Sequence, residues 1–588
     1  MKKRLEVLAP AGSMEHIKAA VAAGADAIYF GASAFNARRL AKNIDDSEIK
    51  KAVDYCHKRG VCVHGTLNIL INDRELEDAI KTAKLFYEAG ADALIVQDIG
   101  LASVLSEIMP QMPLHASTQL AAHNLEGVLF LEKMGFKRVV LARELSIKEI
   151  EYICKNSNVE TEVFVHGALC YCVSGQCYFS SVIGQRSGNR GLCAQPCRLP
   201  YTISGKSGFP LSLKDLCAGD KLKQLFEAGV DSIKIEGRMK SVNYVYSATK
   251  AYSDTVKSYT FTHKQRKELA DTFSRSGFTT AYLENNISKD MFGIREESDK
   301  DITKAQAAYK FVQKKEIENP IENRYSPIFE YNPIEISNAY FEKKPKIICK
   351  FKKLNQIPDG FSSFFWLDIS QFDDNIKYEN FGLYLPPFIA DSNIDKLKET
   401  LIKAYKKGVK KLLVGNIGLI ELGKAMGFEI HGDFELNVFN STSALFYSKY
   451  LKSITLSPEL LTAQIRDIRK CTRMGIIGYG RLPLITSRAC LFKAHTVCGK
   501  CKTPIILKDR KNEKFPVYSD FGCINRIYNS KPLYVGDLSE IKAMGVNFIR
   551  LDFIDENKKQ VKKIIDAFKT HKKADFEYTR GLYKRKVL

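Results

Sequence analysis

Short apolar runs alternate with longer amphipathic stretches through the first half of this 588-residue chain. The runs Leu5–Leu8, Ala27–Phe30, Val61–Gly65, Ala93–Gln97, Leu114–Ser117, Arg138–Leu141 and Glu162–Val165 have the length and near-continuous hydrophobicity of strands buried on both faces. Between them, Met14–Ala23, Ile49–Lys58, Glu75–Ala89 and Ile147–Lys155 carry apolar residues at helical spacing. The phrases AAGADAIYFG, EAGADALIVQD, EKMGFKRVVLAR and EAGVDSIKIEGR each place a glycine at a helix C-terminus, a short step before a buried strand. That is the cadence of a parallel α/β barrel. Ser232–Ile235 makes the eighth strand, so the pattern predicts a TIM-like (β/α)8 barrel over residues 1–292, with a cysteine-rich loop between strands seven and eight.

The cadence breaks after a helical segment, Ser241–Ser274. Residues 293–345 read as a helix and a linker, because ENPIENRYSPIFEYNPIE has three prolines and no period. The pattern then resumes over 346–588. Lys346–Phe351, Phe364–Ile369, Gly382–Leu385, Lys411–Val414, Glu429–Asp433, Ser453–Leu456, Gly475–Gly478 and Asn547–Leu551 predict a second, diverged barrel-like α/β domain. VFVHGALC aligns with IIGYGRLPL, and FPLSLKDLC with FPVYSDFGC, as in an internal duplication. A doubly wound second domain is the alternative.

Cysteines mark the same place in each half. The first loop holds Cys170, Cys177, Cys193 and Cys197, spaced C-x6-C-x15-C-x3-C among glycines that let the backbone turn tightly. Four soft thiolates meeting at one point satisfy either a [4Fe–4S] cluster or a structural zinc, and the irregular spacing favours the cluster. Cys172 could replace a ligand, and Cys217 could stand in for Cys197. The second loop holds Cys490, Cys498, Cys501 and Cys523, where Cys498-Gly-Lys-Cys501 looks like half a zinc knuckle. This set is a candidate metal site for a second cluster or a zinc. Cys56, Cys62, Cys154 and Cys349 read as buried apolar residues.

Polar residues crowd the predicted strand ends of the first barrel, where catalytic groups of such barrels sit. They are Asn36, Arg38, His64, Gln97, Asp98, Ser117, Gln119, Arg143, Glu144, His166, Glu236 and Arg238. His166, Arg238 and Glu236 are the candidate catalytic residues: they flank the cysteine loop, and an arginine there can hold a carboxylate through two hydrogen bonds. The net charge of +22 allows either a lysine-rich solvated surface or a polyanionic partner such as RNA. No apolar run is long enough to span a membrane, and MKKRLEVLAPAG is too short in its apolar part for a secretion signal, so a cytoplasmic setting with reduced thiols is expected. No G-x-S-x-G, H-E-x-x-H or Walker motif is present.

LAPAGS (8–13), YFGASAFNAR (29–38), EVFVHGALCYCVSGQC (162–177), GLCAQPCRLPY (191–201) and IEGRMKS (235–241) resemble the collagenase-like peptidase family, peptidase family U32. The second half, with GYGRLPLITSRAC (478–490) and LKDRKNEKFPVYSDFGC (507–523), is similar to its longer members. The family name implies proteolysis. Its members are also similar to oxygen-independent hydroxylases of ribosomal and transfer RNA bases. That resemblance implies that Cys170, Cys177, Cys193 and Cys197 are cluster ligands and that prephenate is a carboxylate co-substrate, the source of the hydroxyl group. Three functions are therefore set against one another: an iron–sulfur RNA hydroxylase, a collagenase-like peptidase, and a non-catalytic RNA-binding protein with structural metal sites.

Overall fold

In the computed structural model, residues 4–38, 43–296, 311–323, 325–326, 331, 335–340, 344–495, 498–499, 501, 503–571 and 575–584 are described. Two closed barrels of eight parallel strands, each ringed by helices, make up the chain. The first runs through Glu6–Pro10, Ala27–Phe30, Cys62–Leu67, Ala93–Val96, Leu114–Ala116, Arg138–Val140, Glu160–Ala168 and Ser232–Ile235, the last strand pairing with both the first and the seventh. The second runs through Lys346–Phe351, Phe365–Asp368, Phe381–Tyr384, Lys411–Val414, Glu429–Gly432, Ser453–Thr455, Arg473–Gly480 and Phe548–Phe553 and closes in the same way. A doubly wound second domain is thus replaced by a barrel. The glycine turns behave as their spacing implies: Gly90 takes φ +86° after the helix Leu76–Ala89, a conformation that side chains with a Cβ resist, and the chain enters the strand Ala93–Val96.

The duplication is visible in the strand register. In the first barrel the seventh strand carries one extra residue opposite Lys234–Ile235, so that Phe164 faces Lys234 but His166 faces Ile235. In the second, Ile477 faces Arg550 and Tyr479 faces Leu551. The bulge therefore recurs at the same step, and VFVHG and IIGYG are true counterparts. In both barrels a short antiparallel strand then pairs with the end of the seventh: Asp215–Cys217 in the first, Leu533–Tyr534 in the second. This corrects the other alignment. Cys217 is matched in topology by the strand Leu533–Tyr534, whereas Cys523 closes a turn after the strand Lys514–Asp520.

A six-stranded sheet ties the halves together. The hairpin Tyr201–Ile203 and Lys206–Gly208 from the first cysteine loop joins Ile505–Lys508, Lys514–Asp520, Ile524–Tyr528 and Pro483–Ser487 from the second half, through Ile203 opposite Leu507. The barrels also touch directly. Asp98 caps the helix Ile99–Ile108 through the Leu101 N–H and accepts hydrogen bonds from Asn440 and Ser443 of the second barrel. Of the joining segment's described residues, 311–323 run without helix or strand, the Ile317 N–H donating to Lys58 O at 2.9 Å. Residues 297–310, 324, 327–330, 332–334 and 341–343 of the expected helix and linker lie outside the described residues. Among the described residues no helix is long and apolar enough to cross a membrane.

The floor of the first barrel is ionic. Arg138 binds Glu6 at 2.6 Å, Glu160 at 2.8 Å and Glu162 at 3.3 Å. Burial pushes the Glu6 carboxyl up, but Arg138 outweighs it and holds the group at about 2 instead of its ordinary 4.5. The stabilisation, on the order of 3 kcal/mol, is complete above about pH 4.5 and disappears as the pH falls through about 2. Arg138→Met should therefore flatten the acid limb of stability against pH between about 5 and 2, measured by denaturant unfolding; an unchanged acid limb would show that this pair does not set it.

Candidate active site

A cavity of about 470 Å³ opens at the C-terminal ends of the first barrel's strands. Tyr29, Ser117, Gln119, Arg143, Phe164 and Glu236 line its barrel side, and the cysteine loop forms the facing wall. This is the end of the fold where barrel enzymes carry their chemistry.

Cys170, Cys177, Cys193 and Cys197 all line this one cavity, and Cys172 lies among them. The loop is held in place by close contact. Gly175, at φ +79°, lies so near the fifth-strand end that a Cβ would fall 1.9 Å from Gln119 O, which leaves room for glycine alone. Two residues on, Cys177 lies just ahead of the helix Phe179–Gly184, whose N-cap is Tyr178. Its thiol is held below the ordinary value by a hydrogen bond from Cys172 and, against the cost of burial, by the N–H groups of Phe179 and Ser180. Burial pushes Cys170 up to about 12 and raises Cys193 and Cys197. Each of these thiols feels the charge of other cysteines in the set, as groups facing one space must. Cys217 stands apart. It is buried on the barrel wall, with the Tyr252 hydroxyl 3.7 Å from its sulfur, and is not among the cavity's lining residues.

The donor set fits a thiolate-bound cluster. A zinc ion with bonds of about 2.3 Å would draw its sulfurs to roughly 3.8 Å of one another. Among the described residues, the trio of ligand-type side chains whose donor atoms all lie within 4.8 Å is His64, His115 and Glu162, so no three of these sulfurs approach that closely. Backbone N–H groups already point at sulfurs of the quartet, Gln195 N to Cys193 at 3.3 Å and those of Phe179 and Ser180 to Cys177, the kind of bonding that tunes a cluster's thiolates.

The rest of the cavity is cationic. Arg38, Arg143, Arg198, Arg238, Lys240 and Arg275 reach it, against Glu236. Burial would raise the Glu236 carboxyl, but Arg38 at 3.0 Å and Arg143 at 3.9 Å hold it below its ordinary range. Arg238 is fixed by Asn36 and Asn43 at 2.8 Å and by Thr66 at 3.2 Å, with its Nε unpartnered. Burial lowers it to about 10. Lys240 packs 2.7 Å from the centre of the Phe273 ring, and burial takes it down to about 7 although Asp215 opposes the shift. Arg198 donates to Leu169 O at 2.8 Å beside Cys170, and Arg275 pairs with Asp215. So many desolvated cations around one carboxylate make a site for an anion.

His166 is not part of this wall. The bulge in its strand turns it toward the outer helices, where its ring packs on Tyr244, Tyr252 and Phe278, and burial lowers it to about 3. Its counterpart Tyr479 likewise packs on aromatic neighbours, Phe553 and Phe576. Of the other strand-end residues, Arg38, Ser117, Gln119, Arg143, Glu236 and Arg238 line the cavity. Gln97 faces the contact between barrels, and Glu144 is buried, raised to about 7 by desolvation. His64 lies deeper, edge-on to His115 at 4.8 Å. The His64, His115 and Glu162 trio has the composition of a metal site, but Glu162 already receives Lys234 at 2.8 Å and Arg138 at 3.3 Å. A divalent cation there would face two positive side chains, so these residues read as a packed layer closed by those ion pairs. Sequence reasoning did not single out Arg198, Lys240 or Arg275. Arg198 adjoins Cys197 and Lys240 lies in IEGRMKS, whereas nothing in the pattern around Arg275 marks it.

The second set is also gathered. Cys490, Cys498 and Cys501 all act on the Cys523 thiol, which burial and their charge push up.

The model of peptidase family U32 matches residues 12–292 and 381–585. A 23S rRNA 5-hydroxycytidine C2501 synthase of Escherichia coli is 42% identical over 256 residues, which cover 42% of this chain and 39% of that protein. The chain thus spans well under half of that relative. The tRNA hydroxylation protein P1 of Bacillus subtilis is 33% identical over 312 residues, covering 50% of this chain and 74% of that one. A protein named collagenase from Porphyromonas gingivalis is 33% identical over 312 residues, covering 48% and 75%.

Proposed function

The chain belongs to peptidase family U32, and from that premise we propose that it is an oxygen-independent hydroxylase of a base in ribosomal or transfer RNA. One observation carries the reading: four cysteine thiols and a crowd of cationic side chains open into the same cavity. Relatives named for RNA hydroxylation support it. Cys170, Cys177, Cys193 and Cys197 would hold a [4Fe–4S] cluster, which when bound would supply one-electron transfer.

The chain's own residues do the rest. Arg238, Arg38 and Arg143 present guanidinium groups that bind a small carboxylate, with prephenate as the co-substrate the resemblance names. Glu236, kept ionised by Arg38 and Arg143, fixes both arginines. Lys240, lowered to about 7, can give or take a proton near neutral pH. The basic surface of a chain carrying +22 attracts the RNA backbone, and the setting is the cytoplasm. Net, a base C–H becomes C–OH while the donor's C–OH becomes C–H, so neither dioxygen nor an outside reductant enters the balance. The peptidase reading finds less support. No histidine is among the described lining residues, and His166 turns away, so the cavity shows no Ser–His or Cys–His pair among those residues.

The test is mass spectrometry of nucleosides from the rRNA and tRNA of cells with and without the gene. One nucleoside heavier by a single oxygen should vanish on deletion and return on complementation. Identical nucleosides in both strains, with a peptide-cleaving activity lost instead, would overturn the reading.

A further inference from the structure

The same sheet that roofs the first cavity also assembles the second cysteine set. The strand Pro483–Ser487 lies against the first cysteine loop, Leu484 O and Thr486 O accepting from the N–H groups of Tyr178 and Val173 at 2.9 Å. Its Ile485 lines the cavity. Three residues beyond that strand comes Cys490, at the start of the helix Leu491–His495. Cys523 immediately precedes the strand Ile524–Tyr528, which pairs antiparallel with Pro483–Ser487. Cys501 stands four residues before the strand Ile505–Lys508, which pairs with the first half's hairpin. Cys498 sits in the turn ahead of it, beside Gly499 at φ +90°. The ends of three strands of one sheet, with Lys514–Asp520 lying between the last two, thus bring four thiols to one edge.

The local geometry is built for sulfur. Cys490 Sγ accepts from the Lys493 N–H at 3.4 Å and from Asn525 Nδ2 at 3.8 Å. Cys523 is held at φ +62°, a region that residues with a Cβ rarely adopt without a compensating interaction. Cys498 and Cys523 are exposed, so a small convergent group of thiols stands open at the surface.

We propose that Cys490, Cys498, Cys501 and Cys523 hold a second thiophilic metal centre, separate from the first, that pins the sheet edge over the active-site cavity. Four thiolates suit an iron–sulfur cluster at the spacing shown, since here too no three of the described sulfurs lie within 4.8 Å, or a zinc ion if the turns draw closer, and the shared chemistry is soft-metal ligation. The centre acts through structure. It fixes the turns that launch the strands Ile505–Lys508 and Ile524–Tyr528, and through them the strand that touches the first cysteine loop. It does not depend on the RNA reading, since metal at this edge can be measured whatever the reaction is.

The full-length protein, purified without oxygen, is analysed for zinc, iron and acid-labile sulfide beside two double variants. Cys177→Ser/Cys193→Ser removes first-set ligands, and Cys498→Ser/Cys501→Ser removes second-set ligands. The first variant should keep stoichiometric zinc, or iron with sulfide, and that increment should be missing from the second; the element found tells zinc from cluster. Should a variant fail to fold, native alkylation of the unaltered protein decides: Cys498 and Cys523 should react with iodoacetamide at least about tenfold more slowly than after a chelator strips the metal. Equal metal in the unaltered protein and the Cys498→Ser/Cys501→Ser variant, or full-rate labelling of Cys498 and Cys523 before chelation, would overturn the proposal.

Discussion

On the proposed reading, Cys177→Ser abolishes RNA hydroxylation, with activity falling at least about 100-fold and the cluster's iron lost with it. The argument rests on where this sulfur sits. The N–H groups of Phe179 and Ser180 and the thiol of Cys172 hold it below the ordinary thiol range, while burial raises Cys170, Cys193 and Cys197. Cys177 is therefore the thiol most ready to ligate as a thiolate. A serine hydroxyl keeps the shape but is a hard, neutral donor that soft iron binds poorly. Visible absorbance and iron content of the anaerobic protein, with nucleoside mass spectrometry of complemented cells, report the outcome. Cys217→Ser is the control: that sulfur lies on the barrel wall beside Tyr252, so its iron and activity should match the unaltered protein. A Cys177→Ser protein that keeps both would remove this residue from the ligand set.

Most of the scaffold was readable because parallel barrels write themselves locally. The strands are mostly buried, and many of the helices end in a glycine turn, so period and punctuation agree; both sets of eight predicted strands fall on observed ones. The cysteine quartet was readable for a related reason, since thiols repeated through a glycine-rich loop have few other uses. What escaped were features set by register and by distant pairing. One extra residue in the strand Glu160–Ala168 reverses the side His166 faces, and no local pattern announces a bulge. Loose phrase similarity paired Cys217 with Cys523, whereas the antiparallel strand beside each seventh strand pairs it with Leu533–Tyr534. The six-stranded sheet joins residues some three hundred positions apart, and Arg275 reaches the cavity from beyond the barrel's last strand.

Arg550→Ala should destabilise the protein by about 3–5 kcal/mol while leaving the first cavity's residues untouched. Arg550 is fully buried at the place in the second barrel that Lys234 holds in the first. It meets Asp433 at 2.6 Å and binds Asp552 through two nitrogens at 2.6 and 2.9 Å, while Lys350 reaches Asp433 at 2.9 Å. Asp552 is the counterpart of Glu236, but here the carboxylate is consumed in an internal ion network and presents nothing to a ligand. Burial would raise Asp433, yet Arg550 and Lys350 hold it well below its ordinary value. Its contribution is therefore complete above about pH 4 and lost as the pH falls through the lowered value. Removing the arginine strands one buried carboxylate and weakens the hold on another, so the gap between variant and unaltered protein, read from urea unfolding, should be widest near neutral pH and close toward pH 3. Arg550→Leu combined with Asp433→Asn and Asp552→Asn should recover part of the loss, because it discards the charges together instead of leaving them unpaired. If Arg550→Ala unfolds at the same urea concentration as the unaltered protein, the network contributes no net stability, and the second barrel's polar core must be kept for another purpose.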